Sequence, residues 1–327
     1  MKQLLIILLL LATLVGAAAA ETQPTMIFSQ DVVAINPDGS LYPSVNIDPH
    51  SLGGMQTHDF ELGKERILRI QTNLRDAEER GLENVATTIK RCYSYIEKMT
   101  SKQLKHGVLL YLVELDTLPM AYSFKASYHD TSQWEEVRLV LIERDTPLIG
   151  ENASSNLNDL LYDTLPHELG HDIFDTMPHL LHDIDGGAIH HTRWFQEGVC
   201  EVLAKGFSHR EAPHLYRRYL ALRHVGTVLT EPRMQTSLLN WQQNNQNDIV
   251  LESDLYGAAM LVLMAWTEFI PLDELLDHIE KSDGQINGAD LVAMLQKTTG
   301  ISLQDMMARA NYHGRQLNET IVLAMLD

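Results

Sequence analysis

The stretch LPHELGHDIF, Leu165 to Phe174, limits the possible folds more than any other ten residues of the chain. On an α-helix, residues i and i+4 stack on one face, so His167 and His171 offer imidazole nitrogens to a common point. Glu168 lies about 100° further round the helix and borders that point. Histidines at this spacing are one way to hold a divalent cation. Two ligands do not close a site, however, because a catalytic zinc takes three protein ligands and keeps a fourth place for water. A second segment must therefore cross this helix and deliver a third ligand. Leu161, Leu165, Leu169 and Phe174 leave the helix at least half buried, which turns the histidines toward a cleft. Pro166 costs an interior helical hydrogen bond, so the helix either begins close to it or bends there.

Several residues compete for the third position. Asp175 is one turn beyond His171, where a further ligand on the same face is crowded. Asp183, Asp185, His190 and His191 sit in the segment 177–192. That segment is long for a helix–helix connection and reads as a flap or wall over the cleft. Glu197 is the best candidate. It lies in TRWFQEGVCEVLAKG, a predicted helix that can return antiparallel to the first.

HELGH followed by WFQEGVCE resembles the gluzincin metallopeptidases, the peptidase MA-like group related to thermolysin and the M1 aminopeptidases. The resemblance runs from Leu109 to Ala310 and rests chiefly on these two motifs. It implies a zincin-like fold, zinc as cofactor, His167, His171 and Glu197 as its ligands, and Glu168 as general base. It also implies that Glu201, one turn after Glu197, accepts a ring N–H from a ligand histidine, fixing its tautomer. SDLYGAAMLVLMAW resembles a helix of that group carrying an oxyanion-binding tyrosine, which puts Tyr256 in that role, with His190 and His191 as alternatives. No Gly-x-Met-Glu-Asn segment precedes the helix, so the resemblance lacks a dedicated clamp for a free amine. The implied activity is zinc-dependent hydrolysis of a peptide or protein substrate. The alternatives are a non-catalytic zincin-fold binding or chaperone module of the cell envelope, and a hydrolase of non-peptide amides. Retention of both histidines and both glutamates favours the enzyme.

The first twenty residues combine Lys2, an apolar run from Leu4 to Val15, and Ala18-Ala19-Ala20. This is the layout of a secretory signal peptide, with a run short for a membrane span. It predicts an exported protein, periplasmic or extracellular, with no stable membrane span once the leader is removed. A formal charge of −19 makes nucleic acid and anionic lipid poor partners. Oligomeric state is not readable. Cys92 and Cys200 either pair or pack as buried thiols.

Residues 21–60 read as an extended lead-in. Residues 61–327 read as a single gluzincin-like catalytic domain, divided into a sheet lobe at 61–157 and a helical lobe at 158–327. Helices are predicted over 64–80, with Ile67, Ile70 and Leu74 on one face, and over 82–99. Buried strands are predicted over 106–115 and 135–143, with a third near Tyr122, Phe124 and Tyr128. Almost everything after 157 reads as helix, including separate helices at 302–312 and 316–326. The order predicts an α+β fold with a small N-terminal mixed sheet and a mainly helical C-terminal lobe. The remaining histidines, among them His58, His106 and His313, show no partner spacing and read as surface residues. Met260, Met264, Met294, Met306 and Met307 read as core filler.

Overall fold

A computed structural model describes residues 26–35, 41–47, 55–63, 65–116, 118, 122–124, 133–185, 188–223, 232–241 and 249–325. The predicted leader lies outside them. β1 (Met26–Ile35) and β2 (Leu41–Ile47) pair antiparallel. β3 (Gln56–Gly63), β4 (Arg66–Thr72), β5 (Gly107–Leu115) and β7 (Trp134–Glu143) make a second sheet in that order. There β3 and β4 are antiparallel and the other pairs parallel. A short β6 (Tyr122–Phe124) belongs to the first sheet, parallel to β2.

β5 is buried almost throughout, as its unbroken apolar run requires of a central parallel strand covered on both faces. Val108, Leu110 and Leu112 join the main core with Val140 and Ile142 of β7. Leu109, Tyr111 and Val113 pack on the other face with Trp134, Val137, Leu139 and Leu141. Alternation then puts Glu136 and Arg138 on the same face as Val140 and Ile142, and β7 is an edge strand of this sheet.

The helix predicted over 64–80 is not there. Arg66, Leu68, Ile70 and Thr72 are buried while their neighbours are half-buried, the period of two that defines β4. Ile67 and Ile70 share a helical face by spacing, but β-branched residues suit a strand flanked by two partners better. Arg66 shows why the charge pattern misleads. It is buried, with Nη1 donating to Glu97 and to the Leu104 carbonyl, both at 2.7 Å.

α1 (Leu82–Thr100) backs the sheet. After β7 the chain enters a continuous helical rod made of α2 (Ser155–Asp159), a π turn (Leu160–Thr164) and α3 (Leu165–His171). The π turn answers the question posed by Pro166. Leu165 N–H bonds back to Leu160 O, five residues away, just before the proline that has no N–H to donate. The helix neither starts nor breaks there but widens by one residue.

α4 (Arg193–Glu211), α5 (Pro213–Leu222), α6 (Pro232–Leu239) and α7 (Ile249–Thr267) follow. α8 (Leu272–Glu280), α9 (Gly288–Thr299) and α10 (Leu303–Met325) complete the helices. α10 is one helix where two were predicted. Met260, Met306 and Met307 are fully buried. Among the described residues no single helix is long and apolar enough to cross a membrane. The fold is α+β, with a small N-terminal sheet and a mostly helical remainder.

Two glycines set the helix spacing around α4. A Cβ on Gly170 of α3 would lie 2.9 Å from Cys200 Sγ and 3.1 Å from its Cα. A Cβ on Gly198 would lie 2.9 Å from the Ala259 carbonyl oxygen of α7. These bare positions let α3 and α7 close on α4 from two sides, so that one helix can contribute to both contacts. Cys92 and Cys200 are both buried and free.

Candidate metal centre

α3 and α4 bring His167, His171 and Glu197 together. Their ligand atoms all lie within 4.8 Å of one another. Glu197 Oε2 is 3.1 Å from His167 Nε2 and 3.5 Å from His171 Nε2. Zinc bonds of roughly 2.0–2.1 Å at tetrahedral angles set ligand atoms about 3.3 Å apart, so the donor set fits that ion in type and spacing. His167 and Glu197 are nearly buried, whereas 31 % of the His171 side chain is exposed, which opens the group on one side.

Glu168 stands beside the trio with 30 % of its side chain exposed. Its Oε1 is 2.8 Å from Arg138 Nη2, and Arg138 Nε is 2.6 Å from Glu136 Oε2. The edge strand thus reaches α3 through one guanidinium between two carboxylates. Burial, reinforced by repulsion from Glu168 against the pull of Arg138, pushes the Glu136 carboxyl up to about 7.

Beneath the site, Glu201 is fully buried, so it is not a solvated helix charge. Its Oε1 lies 3.0 Å from His167 Nδ1 and 2.8 Å from Arg223 Nη2, and its Oε2 lies 2.8 Å from Lys205 Nζ. Lys205 in turn pairs with Asp163, which the π turn carries. Burial alone would strip the proton from His167, but its hydrogen bonds to the Glu197 and Glu201 carboxylates outweigh it and lift the imidazole to about 9. Burial likewise opposes ionisation of Glu197, and the hydrogen bonds from His167 and His171 overturn it, holding this carboxyl far below its usual range. Burial opposes protonation of His171, and the neighbouring Cys200 sulfur and Glu197 carboxylate outweigh it, raising the imidazole well above its ordinary range.

Tyr256 comes in from α7. Its ring is edge-on to His167, with centroids 5.8 Å apart. Arg193, at the first turn of α4, touches both sides of the site. Its Nε is 3.3 Å from Glu197 Oε1, and its Nη2 donates to Tyr256 Oη at 3.3 Å.

Asp175, Asp183, Asp185, His190 and His191 stand outside the trio. The segment 177–192 carries a small hairpin of β8 (Ile184–Asp185) and β9 (Ala188–Ile189). Backbone bonds tie it to the α8–α9 connection. Ile286 N–H donates to His179 O at 2.7 Å, and Gly288 N–H donates to His190 O at 2.8 Å.

His106, read as a surface residue, is half-buried at the entry to β5. Its Nδ1 is 2.7 Å from Asp172 Oδ1, and Asp172 Oδ2 accepts the Lys105 N–H at 2.6 Å. This pins the end of α3 to the sheet. Glu135, displaced by a bulge in β7, adds its carboxylate 3.2 Å from the same nitrogen. His313 is also engaged, in an ion pair with Glu268. Arg138, Arg193, Lys205, Arg223 and Asp163 were not singled out from sequence. The one available signal was helical spacing, since Arg193 and Lys205 stand four residues from Glu197 and Glu201.

A scan of protein-family models finds no match, and neither does a search of curated proteins. Among solved structures, an aminopeptidase N family protein from Idiomarina loihiensis aligns with TM-score 0.49 and 12 % identity, over 79 % of this chain and 46 % of its own. Yeast LTA4 hydrolase, solved in complex with bestatin, aligns with TM-score 0.39 and 12 % identity, over 77 % and 37 % respectively. The chain therefore spans less than half the length of either protein to which it is similar.

Proposed function

We propose that the chain is an exported zinc-dependent peptidase of zincin-like fold. In this reading His167, His171 and Glu197 hold the ion, Glu168 is the general base and Tyr256 is the oxyanion donor. The observation that carries the reading is the meeting of three ligand atoms from two helices, with a second carboxylate, the partly exposed Glu168, on the residue next to His167. Export rests on the leader-like first twenty residues.

Zinc bound there would supply a water of lowered pKa and a Lewis acid for the scissile carbonyl. Glu168 accepts a proton from the attacking water and returns it to the leaving amine, a role typically worth about 10² to 10⁴ in rate. Arg138 holds one oxygen of the Glu168 carboxylate and so fixes its aim. Tyr256 donates its hydroxyl proton to the oxyanion as the carbonyl becomes tetrahedral, and the loss of such a donor costs on the order of 3 kcal/mol. As an edge strand of its sheet among the described residues, β7 is where an extended peptide can add by strand pairing.

The test is Glu168→Gln in purified protein, assayed on a pool of quenched fluorescent peptides with and without chelator. Wild-type protein should cleave and lose activity with chelator. The variant should bind one zinc per chain and leave the pool intact. Undiminished cleavage by the variant would sink the reading.

A further inference from the structure

Arg193 opens α4 with only 10 % of its side chain exposed. Its guanidinium carbon sits 4.4 Å over the Trp241 ring, and Trp241 stands perpendicular to the Tyr256 ring at 4.8 Å. Its Nε faces Glu197 Oε1, the oxygen turned away from the histidines, and its Nη2 donates to the Tyr256 hydroxyl, both at 3.3 Å. A single buried cation therefore joins the outer oxygen of the ligand carboxylate to the phenol assigned to the oxyanion. Only the planar fork of arginine reaches both acceptors at once, since a lysine ammonium is one point on a flexible stem. The indole face below it disfavours any other orientation of the fork.

We propose that Arg193 is a positioning residue for hydrolysis, holding Glu197 with one oxygen toward the histidines and orienting and polarising the Tyr256 hydroxyl as a donor. The inference rests on the peptidase reading of the same site. A phenol oxygen that accepts from Arg193 still has its own proton to give, and a cation beside that oxygen makes it a better donor. The same contact removes electron density from Glu197 and stops its second oxygen from rotating toward the histidines. Arg193 thus acts on both through neighbours, without touching the reacting atoms.

The test is a double-mutant cycle. Arg193→Met should lower kcat about 10- to 100-fold with little change in KM, and weaken zinc affinity about 10-fold in a chelator competition. In a Tyr256→Phe background the same substitution should lower kcat by less than about threefold, because the phenol through which it acts is gone. Arg193→Lys should recover most of the zinc affinity but not kcat. It also carries the same cycle if the methionine variant does not fold, as judged by thermal unfolding. Losses that simply multiply in the double variant would overturn the coupling to Tyr256. Unchanged zinc affinity in Arg193→Met would overturn the hold on Glu197. If Glu168→Gln stays active, the peptidase reading fails by itself, while the zinc competition still tests Arg193 against Glu197.

Discussion

Replacing Glu201 by Gln removes one negative charge from a place with no solvent to compensate. Glu201 has no exposed surface, and its two oxygens serve His167, Arg223 and Lys205 at 3.0, 2.8 and 2.8 Å. Taking one partner from a buried ion pair typically costs about 3–5 kcal/mol, because the other charge stays behind. Here Lys205 keeps Asp163, and Arg223 keeps the Tyr256 ring 4.7 Å below its guanidinium. The low end, about 3 kcal/mol, is therefore expected. A glutamine oxygen can still accept from His167, but its amide hydrogens then face a cation. Loss of such an outer partner lowers metal affinity about 10- to 100-fold, which converts to about 1.4–2.7 kcal/mol. Urea unfolding in the presence of chelator reads the first quantity, and zinc competition reads the second. A variant within about 0.5 kcal/mol of wild type, the range of an ordinary surface change, and with unchanged zinc affinity would refute the reasoning.

Gly198→Ala places a methyl 2.8 Å from Leu263 Cδ2 and 2.9 Å from the Ala259 carbonyl oxygen. It should destabilise the fold by about 1–3 kcal/mol, read as a lowered Tm. With its pKa raised to about 9, the His167 imidazole carries a proton at neutral pH that zinc must displace. Apparent zinc affinity should then rise with pH up to about 9, with proton release visible when calorimetry is repeated in two buffers. The Glu136 carboxyl sits at about 7 against an ordinary 4.5, so the folded state binds its proton more tightly than the unfolded chain. Stability should be fullest below the ordinary value and fall as pH climbs through 7. Glu136→Gln should flatten that fall, and a stability–pH curve identical to wild type would contradict it.

The meeting of His167, His171 and Glu197 was legible in the sequence because its information is local. Two histidines four apart define a helix face, and WFQEG marks where the third member of the group enters. The apolar runs Val108–Val113 and Leu139–Ile142 marked β5 and β7 for the same reason. What escaped reading was set by partners far away in the chain. The stretch from Arg66 to Thr72 fits a helical face by spacing, and only pairing with β3 and β5 settles it as a strand. His106 has no neighbour of interest in sequence, yet it meets Asp172 across the fold. Pro166 posed a choice between start and bend that a π turn resolves in a third way, one that periodicity at 3.6 residues cannot express.

The same limit explains why the cations of the site were missed, and it bears on what the site is for. The chain carries 44 acidic against 25 basic residues. Around the centre, however, the carboxylates of the site are met by buried or half-buried cations: Glu168 by Arg138, Glu197 by Arg193, and Glu201 by Lys205 and Arg223. A helix merely displaying charge has no use for cations withdrawn from water, because an ion pair repays its desolvation only when geometry is well defined. These four cations hold orientation: which oxygen of Glu197 faces the histidines, which tautomer His167 adopts, where Glu168 points. Their common effect is to neutralise the far side of each carboxylate, leaving Glu197 and Glu201 turned to the histidines and Glu168 beside them. That division of labour is the electrostatic arrangement the proposed zinc site requires, since the ion would have to be held tightly and still polarise a substrate.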